Sequence, residues 1–153
     1  MKESAGILLY KQAGGVLQVF LVHPGGPFWK NKDAGAWSIP KGEFAEGEDA
    51  LAAARREFAE ETGQSLDAAG APLALTPVRQ SGGKLVWAWA IEGDADAEHI
   101  TSNLCEIEWP PRSGRRMMIP EVDRAAWFGL EEARLRINKG QVALLDELAR
   151  KLS

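Results

Sequence analysis

One cysteine, one tyrosine and two histidines are all that 153 residues supply of those types. With Cys105 alone no intramolecular disulfide can form, which fits a reducing compartment. His23 and His99 stand apart, without the paired spacing of a zinc site, and neither is assigned a role. Long apolar runs are missing as well. Near the N-terminus the run over residues 5–10 is too short for a secretory core or a membrane span. Nor does one sign of charge dominate: 18 basic against 22 acidic residues leave −4. That balance gives no general reason to expect nucleic acid or an anionic membrane as a partner. A cytoplasmic protein is expected, and the sequence is silent on its oligomeric state.

What is present suits one globular domain over residues 1–153, with 45% apolar and 26% charged residues. Residues 5–10 and 16–23 are β-rich and flank a glycine-containing turn, so they predict a hairpin. The Gly- and Pro-dense stretch 24–37 predicts a long loop, of the kind that more often carries function than not. Residues 48–62 predict the clearest helix, with Glu48 and Asp49 in its first turn and Gly63 as its stop. A connection with a short strand is expected over 67–77, then strands over 84–93 and 100–109. An irregular segment over 110–124 and a short strand or turn from Ala125 lead into C-terminal helices. Val142, Leu145, Ala149 and Leu152 keep helical spacing for packing. Strands before, between and beyond the helices predict a mixed α/β domain with helices covering a sheet.

The helix is rich in acid at a chosen spacing. At 100° per residue Glu57, Glu60 and Glu61 share one face, while Leu51, Ala54 and Phe58 occupy the neighbouring face and can anchor it. Like charges four apart repel, so such a face needs compensation. A solvated acidic surface is the plain alternative. Hard oxygen ligands without His or Cys suit Mg2+ or Mn2+ rather than zinc, and such ions stabilise phosphoryl transfer and activate water.

The spacing itself reads Gly42, five residues, Glu48, seven residues, Arg56-Glu57-Phe58, one residue, Glu60-Glu61, one residue, Gly63. It resembles the box of the Nudix hydrolases, G-x5-E-x7-R-E-U-x-E-E-x-G-U with U bulky and apolar. At average residue usage seven fixed positions coincide by chance below about one time in a million. Gln64 departs from the last U. The preceding "AWSIPKGE" is similar to the strand and turn before the box in that family. The resemblance implies an α/β/α sandwich with a mixed β-sheet between helices, cleaving a pyrophosphate link in a nucleoside diphosphate joined to another group. It assigns Glu57, Glu60 and Glu61 to Mg2+, or Mn2+ in its place. The Lys41 carbonyl is a further ligand, and Glu48, Arg56, Gly42 and Gly63 are supports. Many members add a carboxylate from outside the box. Glu121 is the candidate, ahead of Glu106, Glu108 and Asp123, and the general base is left open among Glu60, Glu61 and Glu121.

Nucleotide contacts are sought among basic and aromatic residues. Arg112, Arg115 and Arg116, with Lys41, Lys30 and Lys32, can grip a polyphosphate, since guanidinium groups pair bidentately with phosphate oxygens. Trp29, in the loop, is the candidate for stacking on a base; Trp37, Trp87, Trp89 and Trp127 are expected in the core. "PKGE" is similar to the dinucleoside-polyphosphate and diphosphoinositol branches. The tyrosine expected downstream in the former is absent, Gln80, Ser81 and Gly82 standing there. The expected substrate is a nucleotide with an extended phosphate chain. The alternatives are a housecleaning nucleoside-triphosphate pyrophosphatase and a non-catalytic nucleotide-sensing module.

Overall fold

Residues 5–10 lack polar alternation because the strand they form is covered on both faces. Ala5, Ile7, Leu8 and Leu9 have no exposed surface at all. The computed structural model describes residues 3–66 and 70–153, so the start of the connection expected over 67–77 lies outside the described residues. In chain order the strands are β1 (Glu3–Ala13), β2 (Val16–Pro24), β3 (Lys41–Phe44), β4 (Leu73–Ala74) and β5 (Val78–Arg79). They continue as β6 (Leu85–Glu92), β7 (Leu104–Glu108), β8 (Arg116–Pro120) and β9 (Val122–Gly129). The helices are α1 (Ala50–Thr62), α2 (Leu130–Arg136) and α3 (Val142–Leu152).

The main sheet runs β4-β6-β1-β2-β9, with β3 added to β1 and β5 to β6. It is mixed: β1 lies antiparallel to β2 and parallel to β6. The first hairpin closes on Gly14 and Gly15, with φ of 60° and 81°, the backbone a two-residue turn requires. One face of the sheet packs on α1 through Ala5, Ile7, Phe20, Ala53, Ala54 and Phe58. The other packs on the C-terminal helices through Leu8, Val86, Ala88, Leu144, Leu145 and Leu148. This is the helix–sheet–helix arrangement expected, with its mixed sheet in the middle.

Three local expectations are corrected. The helix starts at Ala50; Asp49 is its N-cap, accepting from the Ala52 N–H at 2.9 Å, and Glu48 lies outside it. Residues 110–124 are not irregular throughout, since β8 and the start of β9 lie within them. Glycine, proline and arginine in the turn masked two strands that gain order from partners distant in sequence. The strand expected over 100–109 shortens to β7 and pairs only with β8, forming a separate two-stranded hairpin.

Candidate active site

One edge of β1 is shared by two partners, and this sharing makes the site. β3 pairs with residues Glu3 to Gly6 and β2 with residues Tyr10 to Ala13. Between them the Ile7 N–H donates to the Pro40 carbonyl at 3.1 Å, while Val22 and Ser38 bridge the gap. The fork holds a cleft of about 140 Å³ lined by Val22, Ser38, Lys41, Glu61, Glu121 and Val122. A nucleotide needs roughly 300 Å³ or more. The cleft has room for an ion, a few waters and phosphate oxygens, and the nucleoside must lie outside it. A larger groove of about 790 Å³, lined by Lys11, Trp127 and Asp94 to Glu98, contains none of the candidate ligands. Chemistry is placed at the smaller cleft because Glu61 and Glu121 meet there beside Lys41.

α1 brings Glu61 to this cleft, with Glu57 acting on it from beside, while Phe58 anchors the helix, 5.7 Å centroid to centroid from Phe20. Gly63 ends it with φ 74°, its N–H returning to the Ala59 carbonyl. Gln64, the departure from the box, exchanges two side-chain hydrogen bonds with the Asp96 backbone, both 2.8 Å, so a polar residue is satisfied where an apolar one is usual. Arg56 works across the acidic face: its guanidinium lies 3.1 Å from Glu48, 3.1 Å from Glu57 and 3.3 Å from Glu60. Glu48 also accepts from the Ala45 N–H at 3.1 Å, so it fixes Arg56, which in turn orients two of the candidate ligands.

Glu57 and Glu61 are each only 7% exposed. Burial raises Glu57, Glu60 and Glu121 adding to it against Arg56. Burial, then the carboxylates of Glu121 and Glu57, pushes Glu61 up to about 8, although Lys41 opposes it and its backbone N–H donates to the carboxylate. Burial also lowers Lys41, with Glu61 pulling the other way. Carboxylates thus crowd a dry cleft whose positive charge falls short of their own. A divalent cation is the species that makes up such a deficit, and an all-oxygen donor set suits Mg2+ or Mn2+. Among the described residues no three His, Cys, Asp or Glu groups already converge on one point. The fit is therefore one of donor chemistry and crowding, with Arg56 holding Glu57 and Glu60.

Gly42 stands beside Ala5 in the β3–β1 register, and a Cβ there would run into the Glu57 carboxylate itself. The steric reason for glycine is thus the seating of a candidate ligand.

Of the four acids considered outside the box, the structure brings Glu121 to the cleft and commits the others elsewhere. Glu108 accepts from the Arg112 and Gly114 N–H groups, Glu106 faces Arg116 at 3.6 Å, and Asp123 pairs with His23 at 2.9 Å. Glu121 is held by a backbone relay. The Gly25 N–H donates to its carbonyl (2.9 Å), its own N–H donates to Asn103 (3.0 Å), and the Asn103 N–H donates to Glu60 (2.8 Å). Ser102 Oγ accepts from the Val122 N–H at 3.0 Å and donates to the Asn103 carbonyl. Sequence reasoning missed Ser102 and Asn103. The only signal was a polar Ser-Asn pair before a strand, the kind that bonds backbone.

The proposed substrate contacts are not gathered. Arg112, Arg115 and Arg116 sit exposed at the tip of the β7–β8 hairpin. Along β8, Arg116 is five residues from Glu121, roughly 17 Å at strand rise. The guanidinium groups are therefore remote from the carboxylates. Trp29 is half-buried and meets Phe28 edge-on at 4.9 Å; Lys32 covers the Phe28 ring at 3.5 Å, so its ammonium faces aromatic surface in this arrangement. Lys30 is exposed on the same loop. Trp37 is buried as expected, its Nε1 donating to Asp33 at 2.7 Å.

A family model described as the NUDIX domain matches residues 2–148. No curated protein gives a significant match. Among solved structures the chain is similar to a binary complex of an Ap4A hydrolase from C. elegans, at 20% identity and TM-score 0.70, with 98% of each chain covered. It is also similar to the NUDIX domain of Shewanella oneidensis NrtR complexed with ADP ribose, at 15% identity and TM-score 0.62, covering 98% of this chain and 87% of that one. RenU, a Nudix hydrolase from M. smegmatis, matches at 19% identity and TM-score 0.61, covering 98% and 85%. At such identities the structural likeness carries the fold.

Proposed function

The chain belongs to the Nudix family, hydrolases of phosphoanhydride bonds, and from that premise we propose that it is a Mg2+-dependent pyrophosphohydrolase of nucleotides with an extended phosphate chain. A dinucleoside polyphosphate or a nucleoside triphosphate fits that description. The observation that carries the reading is the meeting of Glu61 and Glu121 with Lys41 at one narrow cleft, with the Glu57 carboxylate close enough to raise Glu61. Glu57, Glu60, Glu61, Glu121 and the Lys41 carbonyl would hold the ion, with Mn2+ as a substitute. When bound, the ion neutralises phosphoryl charge and lowers the pKa of coordinated water.

The protein's own groups do the rest. Arg56, held by Glu48, keeps Glu57 and Glu60 in place. A carboxylate oxygen of Glu60, Glu61 or Glu121 takes the proton of the attacking water. The Lys41 ammonium supplies positive charge to the chain of phosphates. Phe28, Trp29, Lys30 and Lys32 lie on the loop whose ends, Pro24 and Ser38, line the cleft, and that loop is the part proposed to take the base and its nearer phosphates. Arg112, Arg115 and Arg116, remote from the cleft, are in place only for the far part of a long substrate. The C. elegans relative is an Ap4A hydrolase, which agrees with a substrate of that kind. Among the described residues no helix is long and apolar enough to cross a membrane.

A product-resolved screen of nucleotides with Mg2+ and with Mn2+ tests the reading. Cleavage of a phosphoanhydride in a polyphosphate nucleotide is expected. A folded protein that turns over none of them with either ion would defeat the proposal.

A further inference from the structure

His23 has no part in the chemistry above, yet its side chain is fully buried at the end of β2. Its Nδ1 lies 2.9 Å from Asp123 Oδ1 on β9, and its Nε2 lies 2.6 Å from the Lys32 carbonyl in the 24–37 loop. A carbonyl oxygen cannot donate, so Nε2 must carry a hydrogen; Nδ1 faces a carboxylate. Nε2–H therefore donates to the Lys32 carbonyl and Nδ1 is paired with Asp123, so both ring nitrogens are committed to partners on other elements.

The remaining neighbours are accounted for. The Trp37 ring meets the imidazole edge-on at 5.2 Å, and the Arg124 guanidinium lies 5.2 Å from that ring and 3.9 Å from Asp123 Oδ1. Asp33 binds the Trp37 indole and Arg136. The Lys32 ammonium turns away to the Phe28 ring.

We propose that His23 is a positioning residue, an imidazole latch that ties the loop bearing Phe28, Trp29, Lys30 and Lys32 to the strand that begins beside Glu121. This rests on the proposed function only in taking that loop to touch the nucleotide. The latch sets where the aromatic pair and lysines stand relative to the cleft, and so acts on substrate affinity rather than on the chemical step.

The test uses ¹⁵N-labelled protein, with His23→Ala and Asp123→Ala as variants. Asp123→Ala trims a part-exposed side chain and removes the partner of Nδ1, and so serves if His23→Ala fails to fold. Nitrogen shifts should show a hydrogen on Nε2 of His23 in the wild type. In the variants amide exchange over residues 29–36 should quicken about tenfold while α1 is unchanged, one hydrogen bond of the latch having been lost. KM for the best nucleotide should rise about five- to tenfold with kcat within about twofold. A ring without a hydrogen on Nε2, or unchanged loop exchange, or kcat falling with KM constant, would overturn the latch. Absence of turnover on every nucleotide would strike the proposed function instead, and the ring and exchange measurements would still decide this one.

Discussion

Replacing Glu61 by glutamine should make the metal-free protein more stable at pH 8 and leave it nearly unchanged at pH 4.5. The reason is linkage. Burial and the neighbouring Glu121 and Glu57 carboxylates push Glu61 from its usual 4.5 up to about 8. Between those two values the folded protein binds a proton that the unfolded chain has released. The native state therefore binds more protons than the unfolded one, and stability falls as pH rises across that window. The full stability is present below 4.5 and the loss is complete above about 8. A rise from 4.5 to about 8 corresponds to a ceiling of about 5 kcal/mol at 1.36 kcal/mol per unit. Relaxation of the cleft and entry of water reduce it, so about 1–3 kcal/mol is expected for the wild type relative to the variant. Urea unfolding in chelator at intervals from pH 4.5 to 8.5, wild type minus Glu61→Gln, isolates the term because other groups cancel in the difference. Adding Mg2+ should then return stability to the wild type, about 2.7 kcal/mol at 100 times the dissociation constant, and far less to the variant. Parallel pH profiles for the two proteins, without and with Mg2+, would refute the picture of Glu61 as a crowded, buried ligand.

Three further outcomes are expected. Gly42→Ala forces a methyl into the Glu57 carboxylate; it should cost about 1–3 kcal/mol of stability and lower kcat/KM, and activity at wild-type level would show that Glu57 is not needed in its present seat. Ser102→Ala removes the hydroxyl that accepts from Val122 and donates to Asn103; kcat should fall about threefold to tenfold with little change in melting temperature, since Glu121 loses its bracing and the core is untouched. Arg115→Ala should raise KM for polyphosphate nucleotides more than for sugar-linked diphosphates, and equal effects in steady-state assays of both would remove the far-end contact.

What sequence showed and what it hid follow from locality. Glu57, Glu60 and Glu61 lie within five residues on a helix, so helical geometry alone puts them together, and the helix limits, Asp49 and Gly63, came within two residues for the same reason. Glu121 could be singled out only as one of several acids, because its place depends on Gly25 and Asn103, far away along the chain. His23 looked idle since its partner is 100 positions away. The three arginines looked like part of the site because five residues of sequence say nothing of a strand that carries them outward. Gln64 looked like a defect in the motif until Asp96 supplied its partners.

The hairpin of β7 and β8 is bolted at its root and open at its end, and this difference bears on how such a protein can change. Residues near Asn103 and Glu121 share main-chain bonds with helix and loop, so insertions there would disturb the carboxylates. The turn between Trp109 and Arg115 closes only on itself and on Glu108. Lengthening or recharging that turn would lend the molecule a longer or different finger for the remote end of a ligand, while the machinery at its base kept its shape.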